Sequence, residues 1–292
     1  MPDRLAELSE EISALSERLA PHVVAVQSGP ATFSGFVWRD DLVVTAEEAL
    51  ESEDGLAVTL PDGTRAAATL IGRDPSTDVA LLRLDHMVPR VAAPLDGQTA
   101  RRIGEIALAL GRGDDGPVAA LGVVSVVGPA WRSLRGGTID ARLLLDLRLP
   151  LALEGGLAVD ANGKVFGMTV FGPRRSTLVI PAATIERVAA HLLRHGRVAR
   201  GYLGLGLQPV WLDGSGEEGV LVSSVASDGP GREAGVLQGD IVARFAGERV
   251  GGMRALMARL GPESVGQTVE LGLLRAGQPR DVTITIGERP AT

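Results

Sequence analysis

The sequence has no cysteine and few aromatic residues. Without cysteine, the 292-residue chain forms no disulfide bond, no thiolate nucleophile and no Cys-ligated metal site. The aromatic residues are five Phe, three Trp and one Tyr, so the cores must be built from Val, Leu, Ile and Ala. Apolar residues make up 45% and charged residues 22%, which is typical of globular proteins. The length suggests about two domains, and we predict no cofactor.

Basic clusters and long apolar runs are also missing. The net charge is −7 and no long run of Lys or Arg occurs, so no nucleic-acid partner is predicted. No segment has the apolar run of a secretory signal or the ~18 apolar residues of a membrane span. These features predict no membrane span and a cytoplasmic location, or a periplasmic one if the true N-terminus lies upstream of Met1.

An amphipathic pattern opens the chain. Its apolar residues recur at three- and four-residue spacing and are followed by Pro21: Leu5, Leu8, Ile12, Leu15 and Leu19. This spacing predicts a short helix over residues 1–20. The apolar side of the helix either packs onto its own domain or joins copies of the chain, and the pattern leaves both roles open.

Short apolar strands separated by Gly, Pro and Asp follow over residues 21–183, which predicts a β-barrel or sandwich. A helical pattern over 184–199, with Thr184 as its cap, is interpreted as a linker helix. Strands resume over 200–288, with a helix carrying Met253 and Met257, and residues 289–292 form a tail.

Four ordered motifs resemble HtrA/DegP-type serine proteases with a C-terminal PDZ domain. Val43–Leu50 resembles the turn of the catalytic His, Thr77–Leu82 the segment of the catalytic Asp, and Leu153–Val159 the nucleophile loop. Gly229–Val242 resembles the PDZ signature that ends in Gly-Asp. The resemblance covers roughly residues 20 to 288. It implies a mainly β fold, with a chymotrypsin/trypsin-like double β-barrel followed by a PDZ-like α+β domain.

Two of the three triad positions depart from that family. Glu48 stands where the general-base His is expected and Glu154 where the nucleophilic Ser is expected, while Asp78 matches the catalytic Asp. Serine-protease chemistry needs a hydroxyl activated by an imidazole, and we therefore predict a degenerate triad in a chain that is not an enzyme. Ala152 and Leu157 also replace the usual Gly and Pro of the loop. The four histidines, His22, His86, His191 and His195, lie outside these motifs and are interpreted as surface or packing residues.

The three carboxylates of Glu48, Asp78 and Glu154 have three possible roles. They point into solvent or pair with Arg, or they bind a hard cation through oxygen ligands, or their mutual repulsion creates an acid–base pair. The spacing requires none of these, and no metal site is predicted.

The PDZ-like segment is predicted to bind peptide C-termini. Backbone N–H groups at Leu203–Leu205 would hold the terminal carboxylate, and the following strand would pair with the peptide. Side chains on the strand and on the helix would line the groove. The predicted peptide-binding residues are Arg200, Tyr202, Leu203, Gly204, Leu205, Leu207, Met253 and Met257.

Together these patterns predict a non-catalytic HtrA-like scaffold or regulator that binds peptide or protein C-termini or unfolded segments. An active relative is a possible partner, and a homo-oligomer, most often trimeric in that family, is expected. The alternatives are an active serine-type endopeptidase and a pseudo-protease that binds a metal through its carboxylate cluster.

Overall fold

The computed structural model describes residues 3–85, 92–97, 100–212, 217–261 and 264–290. The chain divides into two compact units. Unit 1 comprises Met1–Trp131 and Thr138–Val198, and unit 2 comprises Arg132–Gly137 and Ala199–Thr292. Within the described ranges, no helix has the length and apolar character needed to cross a membrane.

The N-terminal pattern forms helix α1 (Asp3–Leu19), and a 3-10 turn (Ala20–His22) with Pro21 follows it. Leu15 and Leu19 are buried in the core of unit 1. Leu5 and Leu8, nearer the start of the helix, are 79% and 38% exposed. The C-terminal half of the apolar stripe is therefore buried in its own unit, while Leu5 and Leu8 in the N-terminal half remain exposed.

The first barrel is closed by six antiparallel strands in the order β1-β2-β3-β6-β5-β4. Its interior is filled almost entirely by Val, Leu and Ala, as the low aromatic content predicts. The strands are β1 (Val23–Ser28), β2 (Ala31–Arg39), β3 (Leu42–Thr45), β4 (Ala57–Thr59), β5 (Arg65–Asp74) and β6 (Val79–Leu84).

The second barrel has the same strand number, in the order β11-β14-β13-β12-β7-β8. Its long strand β8 alternates exposed and less exposed residues over its first half, because one face of the strand points outward. The strands and the small β9–β10 sheet beside them are β7 (Ile106–Gly113), β8 (Gly116–Gly128), β9 (Trp131–Arg132), β10 (Thr138–Ile139), β11 (Arg142–Asp146), β12 (Leu157–Asp160), β13 (Val165–Phe171) and β14 (Thr177–Pro181).

Helix α2 (Ala182–His195) begins two residues before the predicted start at 184. Pro181 is its N-cap, and Thr184 lies inside the helix, where its hydroxyl donates to Asp140 Oδ2 at 2.6 Å. Ile185 and Leu192 are buried in the core of unit 1. The helix is thus an integral part of unit 1, which extends to Val198, and it differs from the predicted linker over 184–199 because its apolar face packs on the barrels.

Unit 2 contains a sheet ordered β16-β17-β18-β20-β21, with β19 paired to β18 and a separate β15–β22 pair. Its core joins the sheet to the helices. The elements are β15 (Gly201–Tyr202), β16 (Leu205–Leu212), β17 (Glu217–Val225), α3 (Pro230–Glu233), β18 (Ile241–Phe245), β19 (Glu248–Arg249), α4 (Met253–Ala258), β20 (Thr268–Arg275), β21 (Gln278–Thr285) and β22 (Gly287–Glu288). The predicted fold class, a double barrel followed by an α+β domain, is confirmed.

Candidate active site and peptide groove

The turn after β3 carries two adjacent glutamates with different environments. Glu48 is exposed, while Glu47 is 3% exposed and forms an ion pair with Arg73 of β5. The Arg73 Nε–H donates to Glu47 Oε1 at 2.6 Å. The sequence alone does not single out Glu47, because a buried Glu is recognisable only once its Arg partner on another strand is known.

Asp78 lies directly before β6, after a turn that a neighbouring carboxylate holds in place. Asp74 accepts hydrogen bonds from the hydroxyls of Ser76 at 2.5 Å and Thr77 at 2.7 Å. Asp78 itself has φ 58°, a left-handed conformation that Asp tolerates better than most residues. Its Oδ1 accepts the backbone N–H of Glu48 at 2.8 Å. This bond joins the two turns that carry the first two triad positions.

Glu154 follows a 3-10 turn (Leu151–Leu153) and is 5% exposed. Its carbonyl oxygen accepts the N–H of Ser34 at 2.8 Å, which fixes the loop against β2. Its own N–H donates to the Leu151 carbonyl at 3.1 Å, and the Leu153 N–H donates to the Pro150 carbonyl at 2.9 Å. These two N–H groups of the loop therefore already donate to carbonyl oxygens inside the turn.

The three predicted carboxylates are close enough to influence one another. Burial raises the pKa of Asp78 to about 8; the hydrogen bond from the Glu48 N–H opposes this effect, and the charges of Glu48, Glu154 and Glu47 add to it. Burial and the charge of Glu48 raise the pKa of Glu154 to about 7, against a hydrogen bond from the Phe171 backbone. In the part of the chain that the structure describes, no three His, Asp or Glu side chains form a group suited to a metal ion.

The cleft thus combines Asp78, whose raised pKa favours the protonated form at neutral pH, with Glu154, whose pKa lies close to neutral, and with the exposed Glu48. The hydroxyl of Ser34 lies beside the loop but donates to the Ala152 carbonyl at 2.5 Å. His22 lies in the turn after α1, and His191 and His195 lie on α2; His86 is outside the described residues. Such a site can exchange protons. The predicted triad positions, Glu48, Asp78 and Glu154, hold neither the hydroxyl nor the imidazole of a serine protease.

The loop before β16 is oriented by its carbonyl groups. The Leu203 carbonyl accepts the N–H of Gly231 at 2.7 Å, and the Gly204 carbonyl accepts the N–H of Ala226 at 2.8 Å. In a planar trans peptide, the N–H points opposite to the C=O. The N–H groups of Gly204 and Leu205 therefore point away from the 226–231 segment, on the side where a ligand would approach.

Strand β16 is at one end of its sheet, and α4 packs beside it. Leu205 and Leu207 of the strand and Met253 and Met257 of the helix are all half-buried at the border of the core. The side chain of Leu203 is 3% exposed and belongs to the core, and its predicted part in peptide binding concerns the backbone.

Two other predicted contacts lie just before this loop. Tyr202 belongs to β15, which pairs with β22, and the Arg200 carbonyl accepts the N–H of Arg289 at 2.9 Å. A cavity of about 680 Å³ lies elsewhere in unit 2, and none of the predicted peptide-binding residues lines it. The groove is therefore defined by the strand edge and the loop rather than by a deep pocket.

Asp240 is the buried centre of the segment before β18. It is 1% exposed, accepts the N–H of Leu237 at 2.8 Å, and forms a two-pronged ion pair with Arg275. The hydrogen bonds from Arg275 lower its pKa. The Gly-Asp motif identified Asp240, but its partner lies 35 residues away and carries no sequence signal.

Comparison with known families matches both units. The model of a trypsin-like peptidase domain matches residues 33–168, and the model of a PDZ domain matches residues 201–286. The first match covers most of the two barrels, from within β2 to within β13, and the second covers the unit 2 sheet.

Individual proteins give the same result. A probable periplasmic serine endoprotease, DegP-like, from Bartonella henselae is 32% identical over 94% of this chain and 55% of its own length. Its counterpart from Brucella suis is also 32% identical, over 88% and 52%. The chain thus spans about half the length of the curated relatives it matches.

Solved structures resemble this one over nearly their whole length. The HtrA-type protease AlgW, determined with a decapeptide, has a TM-score of 0.74 and 25% identity, covering 95% of this chain and 98% of AlgW. The serine endoprotease from Yersinia pestis has a TM-score of 0.74 and 27% identity, covering 94% and 97%.

These comparisons correct two expectations. The prediction that the chain is not an enzyme is contradicted, because the relatives are named serine endoproteases, which points to a protease. The Glu48 and Glu154 substitutions alone do not exclude catalysis by a chain that resembles endoproteases over most of its length. The cytoplasmic location is contradicted by the periplasmic names of the same relatives. What is established is the architecture: the chain carries an HtrA/DegP-type trypsin-like serine protease domain followed by a PDZ domain.

Proposed function

We propose that this chain captures peptide C-termini in the groove between β16 and α4, and that its relatives' periplasmic location applies to it. The observation that carries the proposal is the orientation of the 203–205 loop. The carbonyls of Leu203 and Gly204 accept hydrogen bonds from the 226–231 segment. The N–H groups of Gly204 and Leu205 therefore point to the opposite side, where both can donate to a terminal carboxylate. The β16 edge then offers backbone partners to the rest of an extended peptide.

The side chains along this groove favour an apolar peptide end. Leu205, Leu207, Met253 and Met257 are half-buried and pack against the core. Methionine adapts to ligands of different shape, so the selectivity for the last residues is expected to be broad. The similarity to AlgW, whose structure was determined with a decapeptide, supports peptide binding by this architecture.

A groove variant with a matched control tests this proposal. Met257→Gln keeps the length of the side chain but places an amide in the groove, and it is expected to weaken binding of a fluorescent apolar peptide about tenfold. Leu237→Gln changes a 51% exposed Leu of the same unit outside the groove and should bind like the unmodified chain. Fluorescence anisotropy measures both affinities. Equal binding by both variants would contradict the proposal.

We further propose that Glu154 and Glu48 take the places of the Ser and the His of the Ser–His–Asp triad, while Asp78 keeps the place of the Asp. The environment of each side chain supports this substitution: Asp78 bonds to the Glu48 N–H, and the charge of Glu48 acts on the pKa of Glu154. The Glu154 N–H, which would belong to an oxyanion hole, is used within its own turn. The site thus lies at the position of the family's active site but has different chemistry.

A second function, peptide hydrolysis by a carboxylate pair, is favoured by the raised pKa values. Near neutral pH, one carboxyl group can donate a proton while a second carboxylate accepts one from water. Asp78 and Glu154, with pKa values of about 8 and about 7, are the acid and base candidates. This route would also cleave peptides, but it requires no serine nucleophile and so differs in mechanism from the relatives, which are named serine endoproteases.

Two measurements separate these routes. Fluorophosphonate labelling detects an activated serine, and we expect the unmodified chain to remain unlabelled; a labelled Ser would overturn the substituted triad. Hydrolysis of a fluorogenic peptide library by the carboxylate route should depend on pH between about 7 and 8. It should be lost in Glu154→Gln and Asp78→Asn, whereas Glu105→Gln, a control at a half-buried Glu that pairs with Arg102 outside the cleft, should retain it. Activity unaffected by the two cleft variants would contradict that route.

A further inference from the structure

Helix α2 ends in a pair of histidines on one face. His191 and His195 are four residues apart, so their side chains lie above one another along the helix. Their ring centroids are 4.6 Å apart and their planes are inclined by 43°. His195 is exposed and His191 is half-buried, so both rings are accessible from the same side. Two histidines at this spacing on a helix can ligate one metal ion.

The surroundings of His191 prepare it as a ligand. Its ring hydrogen-bonds to the backbone of Arg197. Metal-binding histidines usually use one nitrogen in this way, which fixes the ring and leaves the other nitrogen for the metal.

The helix end that carries the pair is held rigidly. Gly196 caps α2 in a left-handed conformation, and its N–H donates to the Leu192 carbonyl at 2.7 Å. Gly72 of β5 approaches so closely that a Cβ atom there would collide with the Gly196 carbonyl. Strand β5 therefore contacts the capping residue Gly196 directly. The two imidazole rings would then be in position before a metal ion binds.

The available donor atoms restrict the kind of ion. Arg194 and Arg197 flank the pair, and the structure brings no third His, Asp or Glu ligand to it within the described residues. A hard cation such as Ca²⁺ or Mg²⁺ needs several oxygen ligands, which a pair of histidines does not supply. Imidazole binds Cu²⁺, Ni²⁺ and Zn²⁺ through a directed bond. We propose that His191 and His195 bind one such divalent transition-metal ion, with water in the remaining positions, and that the ion clamps the last turn of α2.

Titration of the full chain without an affinity tag tests this site. Calorimetric titration with NiCl₂ and ZnCl₂ at pH 7.5 should show one binding event, and the bound ion should raise the thermal midpoint of unit 1. MgCl₂ should give neither effect. Binding should weaken sharply at pH 5.5, because protonated imidazole does not ligate a metal.

Three variants make the assignment specific. His191→Asn and His195→Asn should each weaken Ni²⁺ binding at least tenfold, since one imidazole cannot chelate. Arg194→Gln removes a nearby positive charge without removing a ligand and should tighten binding severalfold. Retained binding in both histidine variants, or no binding by the unmodified chain, would overturn the proposal.

Discussion

At the scale of single residues, the environment of Asp78 determines which protonation state it favours. In this chain, its Oδ1 holds the Glu48 N–H, and no cation compensates its charge among the causes that set its pKa. Burial and three surrounding glutamates therefore favour its protonated form. A carboxyl group that orients a histidine must be ionised, so this environment suits proton exchange rather than support of an imidazole.

Stability should consequently fall as the pH rises across the titration of the cleft. The folded-state pKa values of Asp78 and Glu154, about 8 and about 7, lie above the ordinary values of 3.8 and 4.5. The folded state thus binds more protons than the unfolded state between about pH 4 and pH 8, and its free energy of unfolding decreases with pH over that interval.

Asp78→Asn should remove much of this dependence. Asn accepts the same hydrogen bond and tolerates the left-handed φ, so at pH 8.5 the variant should gain on the order of 1–3 kcal/mol relative to the unmodified chain. Below about pH 4, where the Asp78 carboxyl group is protonated in both the folded and the unfolded state, the two should be about equal. Urea unfolding at several pH values measures this. A variant that is less stable at pH 8.5 would show that Asp78 is ionised and stabilising.

The sequence predicted individual residues where a local motif marks them. The order of motifs identified Glu48, Asp78 and Glu154, and strand alternation together with the Gly-rich loop identified Leu205 and Leu207. It could not predict the Glu47–Arg73 and Asp240–Arg275 pairs, because each joins residues distant in sequence. Mutual repulsion of the three carboxylates was one of the roles that the sequence left open, but burial as the main cause of the raised pKa values could not be predicted, since burial is a property of the folded chain.

At the scale of elements, the 203–205 loop depends on a close approach of two backbones. Gly204 has φ 69°, and a Cβ atom there would lie 2.8 Å from the Gly229 Cα. For helix α2, the apolar periodicity of the sequence predicted the helix but not its structural role. A stripe of Ile, Val and Leu shows that a helix packs on something, and only the fold shows that it packs on the barrels.

Gly204→Ala should therefore abolish peptide binding and destabilise unit 2. Its matched control is Gly277→Ala, at φ 78°, where an added Cβ would have no described neighbour within 4 Å. Both variants have the left-handed strain of about 1–2 kcal/mol, but only the first has the backbone clash. Peptide anisotropy and thermal unfolding should show normal binding for the control. Equal losses in both variants would mean that the close approach has no role.

At the scale of the whole molecule, exposed apolar side chains suggest an assembly. Leu5 and Leu8 of α1 are exposed, as are Leu121 and Val123 on the outer face of β8. Leu8 and Leu121 line one shallow cavity with Ile106. Contiguous apolar surface of this kind often marks a contact with another chain, and we expect a homo-oligomer, with a trimer as the expected form.

Leu8→Glu should dissociate this assembly. Leu193→Glu is the matched control, because both leucines are 38% exposed and both lie on helices, but Leu193 is on α2 outside this surface. Light scattering at tens of micromolar should give an oligomer for the unmodified chain and the control, and a smaller species for Leu8→Glu. A monomeric unmodified chain would contradict the expectation.

Capture of a peptide C-terminus is the central claim, and one pair of ligands tests it most directly. The same apolar peptide is prepared with a free C-terminal carboxylate and with a C-terminal amide, and isothermal titration against the full chain measures both affinities. We expect micromolar binding of the acid, about −7 to −8 kcal/mol. The amide should bind at least tenfold more weakly, because it loses charge-assisted hydrogen bonds to the Gly204 and Leu205 N–H groups. Equal affinities for the two peptides would contradict the claim.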